Sequence, residues 1–287
     1  MTEIIDYLRD PWTLEFMRRG LIAAVVVGAV AAVIGSFVIL KGMAFIGDAL
    51  PHASFGGIAA AFVLGANLYL GGAIAAVLTA LLIAFVSRRA LIKYDTAIGI
   101  LFVGAFAAGI LIISRQTNYA PDLFSFVFGN VLGVSWSDVW ITAVAGTVIL
   151  ILVVLFYKEL LFVAYDPSMA AAAGLPVATI QYGLMALIGV TTVIGLQTVG
   201  IVLVVALLVT PAATAQLLTR RLPSMMALGA VVGVLSSLGG LYIAYYADVS
   251  ASAAIVLTAT AFFFLAFLLA PRRGLLWQRR SLPVEPA

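Results

Sequence analysis

The chain contains no cysteine. It can therefore build no disulfide framework, no iron–sulfur cluster and no thiolate metal site. Charge is scarce: Asp, Glu, Lys and Arg make up 9% of the 287 residues, against about 25% in an ordinary soluble domain. Histidine occurs once, at position 52. The sequence has no Gly-x-x-x-x-Gly-Lys-Ser/Thr, so the chain has no P-loop for ATP. Gly-x-Ser-x-Gly and His-Glu-x-x-His are also missing, which leaves no constellation for nucleophilic or zinc-hydrolase catalysis. Residues 1–16 carry four acidic side chains and no apolar centre. They read as a short amphipathic lead-in rather than a signal peptide. A net charge of +3 drawn from so few residues does not point to nucleic acid.

What is abundant is apolar surface, at 64% of the residues. No soluble fold of this length can hide so much, so lipid must be the solvent for much of the chain. Uncharged apolar runs fall near residues 21–40, 49–64, 70–86, 96–114, 139–156, 177–194, 198–218, 225–247 and 251–270. Each approaches the ~20 residues needed to cross a bilayer, but the second is short, rich in Gly and Ala, and contains Pro51. The expected fold is all-α, a polytopic transmembrane bundle of about eight spanning helices plus one short or re-entrant segment. No repeat of 20–50 residues is present, so residues 1–287 read as a single membrane domain, with a disordered tail over 282–287.

The basic residues set the orientation. Arg88, Arg89 and Lys93 follow the third run, Lys158 the fifth, Arg220 and Arg221 the seventh, and Arg272, Arg273, Arg279 and Arg280 the last. The positive-inside rule places all four groups in the cytoplasm. Residues 115–138 are then external and 157–176 cytoplasmic. Nine full crossings would put Arg18 and Arg19 outside, against the same rule. The expectation is therefore that the 49–64 run does not cross fully and that both termini lie inside.

Few polar residues lie at membrane depth, and Asp48 and His52 dominate them. Four residues apart, they share one helix face about 6 Å apart along the axis. A carboxylate and an imidazole suit Mn(II), Fe(II) or Zn(II). A helix beginning near Gly47 or Asp48 would keep Pro51 in its first turn, where the missing N–H costs nothing. The alternative is that Asp48 is an N-cap and His52 a core histidine. A second feature lies in 157–176. Asp166 can cap, Pro167 fits the first helical position and Gly174 can end the helix, giving about two turns between two spans. On spacing alone this is an interfacial loop helix. Thr191, Thr192, Gln197, Thr210 and Gln216 are candidates for helix-to-helix hydrogen bonds, and Tyr242, Tyr245 and Tyr246 beside Asp248 for an interfacial aromatic belt.

Residues 42–53, Gly-Met-Ala-Phe-Ile-Gly-Asp-Ala-Leu-Pro-His-Ala, resemble the signature of the ATP-binding cassette permeases that import manganese, zinc and iron. Three further stretches resemble that family in the same order: 95–100, 123–133 with Phe128-Gly129-Asn130, and 199–219 with Leu208-Val209-Thr210-Pro211-Ala212-Ala213-Thr214-Ala215. The resemblance covers nearly the whole chain. It implies a type II importer permease in a prokaryotic cell membrane, working as a homodimer with a cytoplasmic ATPase pair and an external metal-binding protein. Asp48 and His52 would then be metal ligands in the pathway. The helix holding Asp166, Pro167, Ala171 and Gly174 would stand in the place of the coupling helix. The family usually has a small polar residue, often serine, where this chain has Pro51. The stretches 199–219 and 262–271 look closest to the manganese/iron branch, and no histidine-rich loop argues for zinc. A proton-coupled secondary transporter is the competing class, but such transporters are often built on inverted repeats and none is visible.

Overall fold

The computed structural model describes residues 10–114 and 131–270, and among them every regular element is helical. In chain order the α-helices are α1 (Glu15–Leu40), α2 (Ile46–Val63), α3 (Leu68–Ala90), α4 (Tyr94–Ile113), α5 (Trp136–Leu155), α6 (Tyr157–Tyr165), α7 (Pro167–Ala172), α8 (Val177–Val199), α9 (Ile201–Leu218), α10 (Leu222–Ala247) and α11 (Ala251–Leu269), with a 3₁₀ turn at Val131–Gly133 before α5. Eight of these are long and apolar enough to cross a membrane: α1, α3, α4, α5, α8, α9, α10 and α11. The short extra segment is α2, whose 18 residues are diluted by Asp48, Pro51 and His52. The lead-in up to residue 9, the motif residues 123–130 and the tail lie outside the described residues.

The most buried span, α1, forms the axis of the bundle, and α5, α8, α9 and α10 pack around it. Lipid tails are as apolar as leucine, so helices associate through close packing rather than through expulsion of water. Small residues make that packing possible. Gly28 of α1 meets Gly233 of α10 so closely that a Cβ on Gly233 would lie 2.4 Å from the Gly28 carbonyl oxygen. Ser237 donates across the same contact to the Ala24 carbonyl at 2.9 Å.

A second unit is built from α2, α3 and α4. Gly57 faces Gly71 of α3, where an added Cβ would come within 2.1 Å of the Gly71 carbonyl oxygen. Gly56 faces α4, where a Cβ would lie 2.6 Å from the Ala105 carbonyl oxygen. The three helices thus touch backbone to backbone.

Apart from the Ser237 contact, the span hydroxyls of Thr191, Thr192 and Thr214 turn back on their own helices. Thr191 bonds the Leu187 carbonyl at 2.7 Å, Thr192 the Ile188 carbonyl at 2.9 Å, and Thr214 the Thr210 carbonyl at 2.7 Å. The expected helix-to-helix bonds from Thr191 and Thr192 are not made, because the carbonyl four residues back is always within reach of a helical threonine.

The side of the amino end also differs from expectation. The end of α1 meets the start of α4, with the Lys41 ammonium 5.7 Å from the Tyr94 ring centre. The start of α1 meets the start of α5 and the end of α10. Arg18 stacks on Trp136 at 5.3 Å, the Trp136 indole donates to Glu15 at 3.0 Å, and the Trp12 indole donates to the Tyr242 hydroxyl at 2.8 Å. Arg18 therefore lies opposite the face that carries Arg88, Lys158 and Arg220. It is external, and α2 does return the chain to the outer side before α3. Two basic residues are tolerated there because Arg18 lies over an indole and an acidic residue, Glu15, is beside it. The positive-inside rule counts charges in loops and does not register such local partners.

With no native cysteine, single engineered cysteines report this topology cleanly. Thr13→Cys and Ala66→Cys, both exposed, are expected to react with a membrane-impermeant maleimide added outside intact cells, and Arg220→Cys only after permeabilisation. Labelling of Thr13→Cys only from inside would overturn the assignment. The packing has its own test. Gly57→Val is expected to cost about 1–3 kcal/mol, as overpacking does, read as a lower melting temperature in detergent. Gly183, where a Cβ would meet nothing within 4 Å, should accept Ala with no loss.

Candidate functional site

Chain geometry between α1 and α2 fixes where the polar pair sits. Gly42, at φ +65°, reverses the backbone after α1. The Met43 N–H then bonds the Val38 carbonyl at 2.9 Å, and the Ile46 N–H bonds the Met43 carbonyl at 2.9 Å. These bonds start α2 at Ile46 rather than at Gly47 or Asp48. Pro51 is therefore the sixth helical residue, beyond the first turn. It has no N–H to give to the Gly47 carbonyl four residues back. Phe45 occupies the N-cap, and Asp48 makes no capping bond. The capping interpretation of Asp48 finds no support, and its carboxylate is free for other work.

His52 stands one turn beyond Asp48 on the same face. Its Nδ1 lies 2.8 Å from the Asp48 main-chain carbonyl. A carbonyl only accepts, so Nδ1 carries the proton and Nε2 keeps the lone pair. This is the arrangement of a metal-ligating histidine, whose second nitrogen is tied to a carbonyl that fixes the tautomer and the ring. The Asp48 carboxylate approaches Nδ1 at 3.6 Å, and the two side chains remain 33% (His52) and 45% (Asp48) exposed.

Aromatic rings wall this face. Phe106 and Phe102 of α4 stand edge-on to the imidazole at 5.9 and 6.3 Å between ring centres. Phe45 meets Phe102 at 5.6 Å, and Phe55 meets Phe106 at 5.4 Å. Residue-type reasoning missed Phe102 and Phe106. Their i, i+4 spacing matches that of Asp48 and His52, which is the signal that would pair the two helices. Among the described residues no third His, Cys, Asp or Glu joins the pair, so one chain brings one carboxylate and one imidazole together here.

On the opposite, cytoplasmic side of this unit lies Lys41. Burial pushes its ammonium below the usual lysine range, and it rests over the Tyr94 ring. Nearby, Arg88 at the end of α3 donates to the Gln181 side-chain oxygen of α8 at 3.3 Å and stacks over Tyr182 at 5.9 Å.

The 157–176 connection holds two helices rather than one. After α5 the backbone bends at Phe156, and α6 runs on for nine residues. The Asp166 carboxylate then accepts from the Ser168 and Met169 N–H groups at 3.0 and 2.9 Å, which caps α7. Pro167 takes the first position. Gly174, at φ +82°, closes the other end, with the Gly174 N–H on the Ala171 carbonyl and the Leu175 N–H on the Ala170 carbonyl. That is the paired C-terminal bond set of a Schellman motif. Ala171 is exposed and Ala170 is buried, so α7 presents all but one of its residues outward.

A bundle of apolar spans with a polar pair at membrane depth and a capped helix on its cytoplasmic face defines a multi-pass membrane permease. The model of the ABC 3 transport family matches residues 13–270, and the chain belongs to that family. It is the membrane-spanning permease subunit of an ATP-binding cassette importer of the cell membrane, with ATP hydrolysis on a separate subunit. The chain is similar to the manganese transport system membrane protein MntC of Halalkalibacterium halodurans, 48% identical over 96% of this chain and 94% of that one. It is also similar to a probable iron transport system membrane protein of Haemophilus influenzae, 35% identical over 97% and 98%. Among solved structures it resembles PsaBC from Streptococcus pneumoniae in complex with Fab, with a TM-score of 0.82 and 39% identity over 96% of this chain and 99% of that one.

The cap gives a local test. Asp166→Ala is expected to loosen α7 by about 1 kcal/mol, and Asp166→Ser by much less. Faster amide hydrogen exchange at Ser168 and Met169 in the alanine variant alone would report it.

Proposed function

We propose that this permease imports Mn(II), and that Asp48 and His52 are its ligands in the pathway. The observation that carries the reading is the 2.8 Å contact of His52 Nδ1 with the Asp48 main-chain carbonyl, which in a neutral ring leaves the Nε2 lone pair available, with the Asp48 carboxylate 3.6 Å from the ring. A carboxylate oxygen and a neutral imidazole suit Mn(II) and Fe(II), and without thiolate they disfavour Cu(I). The names of the similar proteins favour manganese and keep iron as the second reading. Two ligands per chain hold an ion weakly. A second copy related by a two-fold axis supplies two more, which supports a homodimer with the half-sites facing one pathway. A permeation site must bind well enough to accept its ion and loosely enough to release it. An open set of oxygen and nitrogen ligands meets that need better than a closed cage.

The partners follow from the class. The capped helix α7 is the coupling segment, with Asp166 and Pro167 opening it, Ala171 on its outer surface and Gly174 ending it. A cytoplasmic ATPase pair docks there, and an external metal-binding protein delivers the ion on the opposite face.

The test is uptake by proteoliposomes holding the permease, its ATPase and its binding protein. Mn(II) uptake should require ATP. Asp48→Asn and His52→Ala should each reduce uptake by at least about 10–100-fold, the range seen when even an outer partner of a metal ligand is lost, with ATPase association unchanged. Normal uptake by Asp48→Asn would remove the carboxylate from the pathway. Preferential uptake of Fe(II) or Zn(II) in competition would leave the site standing and replace the metal.

A further inference from the structure

The α2–α3–α4 unit packs on α8 through α3, where Gly189 of α8 faces Val77 and Ala80, and at the cytoplasmic end a polar side chain, Arg88, joins the two. Close contacts at Gly56, Gly57, Gly71 and Gly109 join α2 to both α3 and α4, so the three helices form one tightly packed unit. This unit carries Asp48 and His52 on α2 and the Phe102–Phe106 wall on α4. At its cytoplasmic end the turn between α3 and α4 has Leu91 at φ 53°, and the Ser87 hydroxyl bonds the Ile92 carbonyl at 2.9 Å across it. Arg88 stands in the last turn of α3 beside it.

Arg88 reaches α8. Its guanidinium donates to Gln181 at 3.3 Å and stacks over Tyr182 at 5.9 Å. Gln181 is buried to 8% exposure, so its position is set by packing rather than by solvent. Tyr94, the first residue of α4, is covered by the Lys41 ammonium at the end of α1. Phe102 lies eight residues beyond Tyr94, about 12 Å along the helix at 1.5 Å per residue. On the other side of the junction, Gln181 is the fifth residue of α8, only seven residues after Gly174 closes α7. Further along, α8 packs on α3 through apolar contacts, but at its first turns the hydrogen bond and ring contact to the unit are those of Arg88.

We propose that Arg88 is a positioning residue that transmits movement of α8 to the α2–α3–α4 unit, and so couples ATP hydrolysis to opening of the metal half-site. The inference rests on α7 being the coupling segment. Arginine suits the task because its planar guanidinium can stack on a ring and donate to an amide at once, which a lysine ammonium cannot reproduce. Arg88 touches no metal ligand. Its removal should leave binding of the ion intact and disconnect it from the stroke.

The experiment uses the full complex in proteoliposomes and reads two rates, ATP hydrolysis and Mn(II) uptake, for Arg88→Gln, Arg88→Lys, Gln181→Leu and Ala171→Trp. Arg88→Gln and Gln181→Leu are expected to keep hydrolysis near the parent rate while the ions moved per ATP fall by about tenfold, a usual size for coupling between sites. Arg88→Lys should be intermediate, and the Mn(II) concentration giving half-maximal uptake should not move. Equal loss of hydrolysis and uptake in Arg88→Gln would mean a merely structural role and overturn the proposal, as would an unchanged ratio. Ala171→Trp separates the two readings. If it leaves the ratio intact while Arg88→Gln lowers it, α7 is not the coupling segment but the Arg88 link stands. If only Ala171→Trp lowers the ratio, α7 stands and the link falls.

Discussion

The polar half-site can exist at membrane depth only because α2 is gripped on two sides. A carboxylate within a span is costly, and α2, which carries Asp48 in its first turn, also holds a histidine and an interior proline. Alone in lipid this helix would be poorly placed, and it is absent from the eight helices whose composition suffices for crossing. Gly56 and Gly57 solve the problem. Consecutive residues on a helix point about 100° apart, so one glycine admits α4 and the other admits α3. Both neighbours then approach to backbone contact, and their dispersion contacts offset what the polar residues cost. The aromatic wall is a consequence of that approach, because Phe102 and Phe106 belong to α4. The Nδ1 contact of His52 lies within α2 itself.

The same constraint explains what could be read from sequence. Spans are legible because hydrocarbon thickness imposes a length, and eight of the nine runs have it. The α7 segment is legible because its signals are local: Asp166, Pro167 and Gly174 each act within one turn of where they stand, and all three sit as their chemistry requires. Long-range effects are not legible. The external position of Arg18 depends on Trp136 and Glu15, which only the folded chain brings beside it. The start of α2 depends on a bond from Met43 to Val38, across the Gly42 turn. The hydroxyls of Thr191 and Thr192 had a nearer partner in their own helices than any neighbour could offer. Phe102 and Phe106 carry no polar atom, so nothing in their chemistry marks them until His52 is placed against them.

The distribution of exposure bears on the proposed two-fold assembly. Among the eight spans α4 is the least buried within one chain, yet it forms one wall of the half-site. Asp48 and His52 themselves remain partly open. A charged residue left facing lipid would be paid for with no return, whereas one facing a second copy would share an ion with its counterpart.

The chemistry of so sparse a site has to be selective without being tight. Affinity for nitrogen and oxygen ligands rises from Mn(II) through Fe(II) towards the later metals, so no ligand set of this kind prefers manganese by strength alone. A site with more nitrogen or any sulfur would move further in the wrong direction, because such ligands hold zinc and copper more firmly. Carboxylate oxygen is the donor that loses least on manganese. The edge-on rings of Phe102 and Phe106 add no ligand, but they restrict the orientations open to the imidazole and so the geometries open to an ion. Discrimination in the proposed pathway then rests on how firmly α3 and α4 hold α2, and on which ion the external partner supplies, more than on the two ligands themselves.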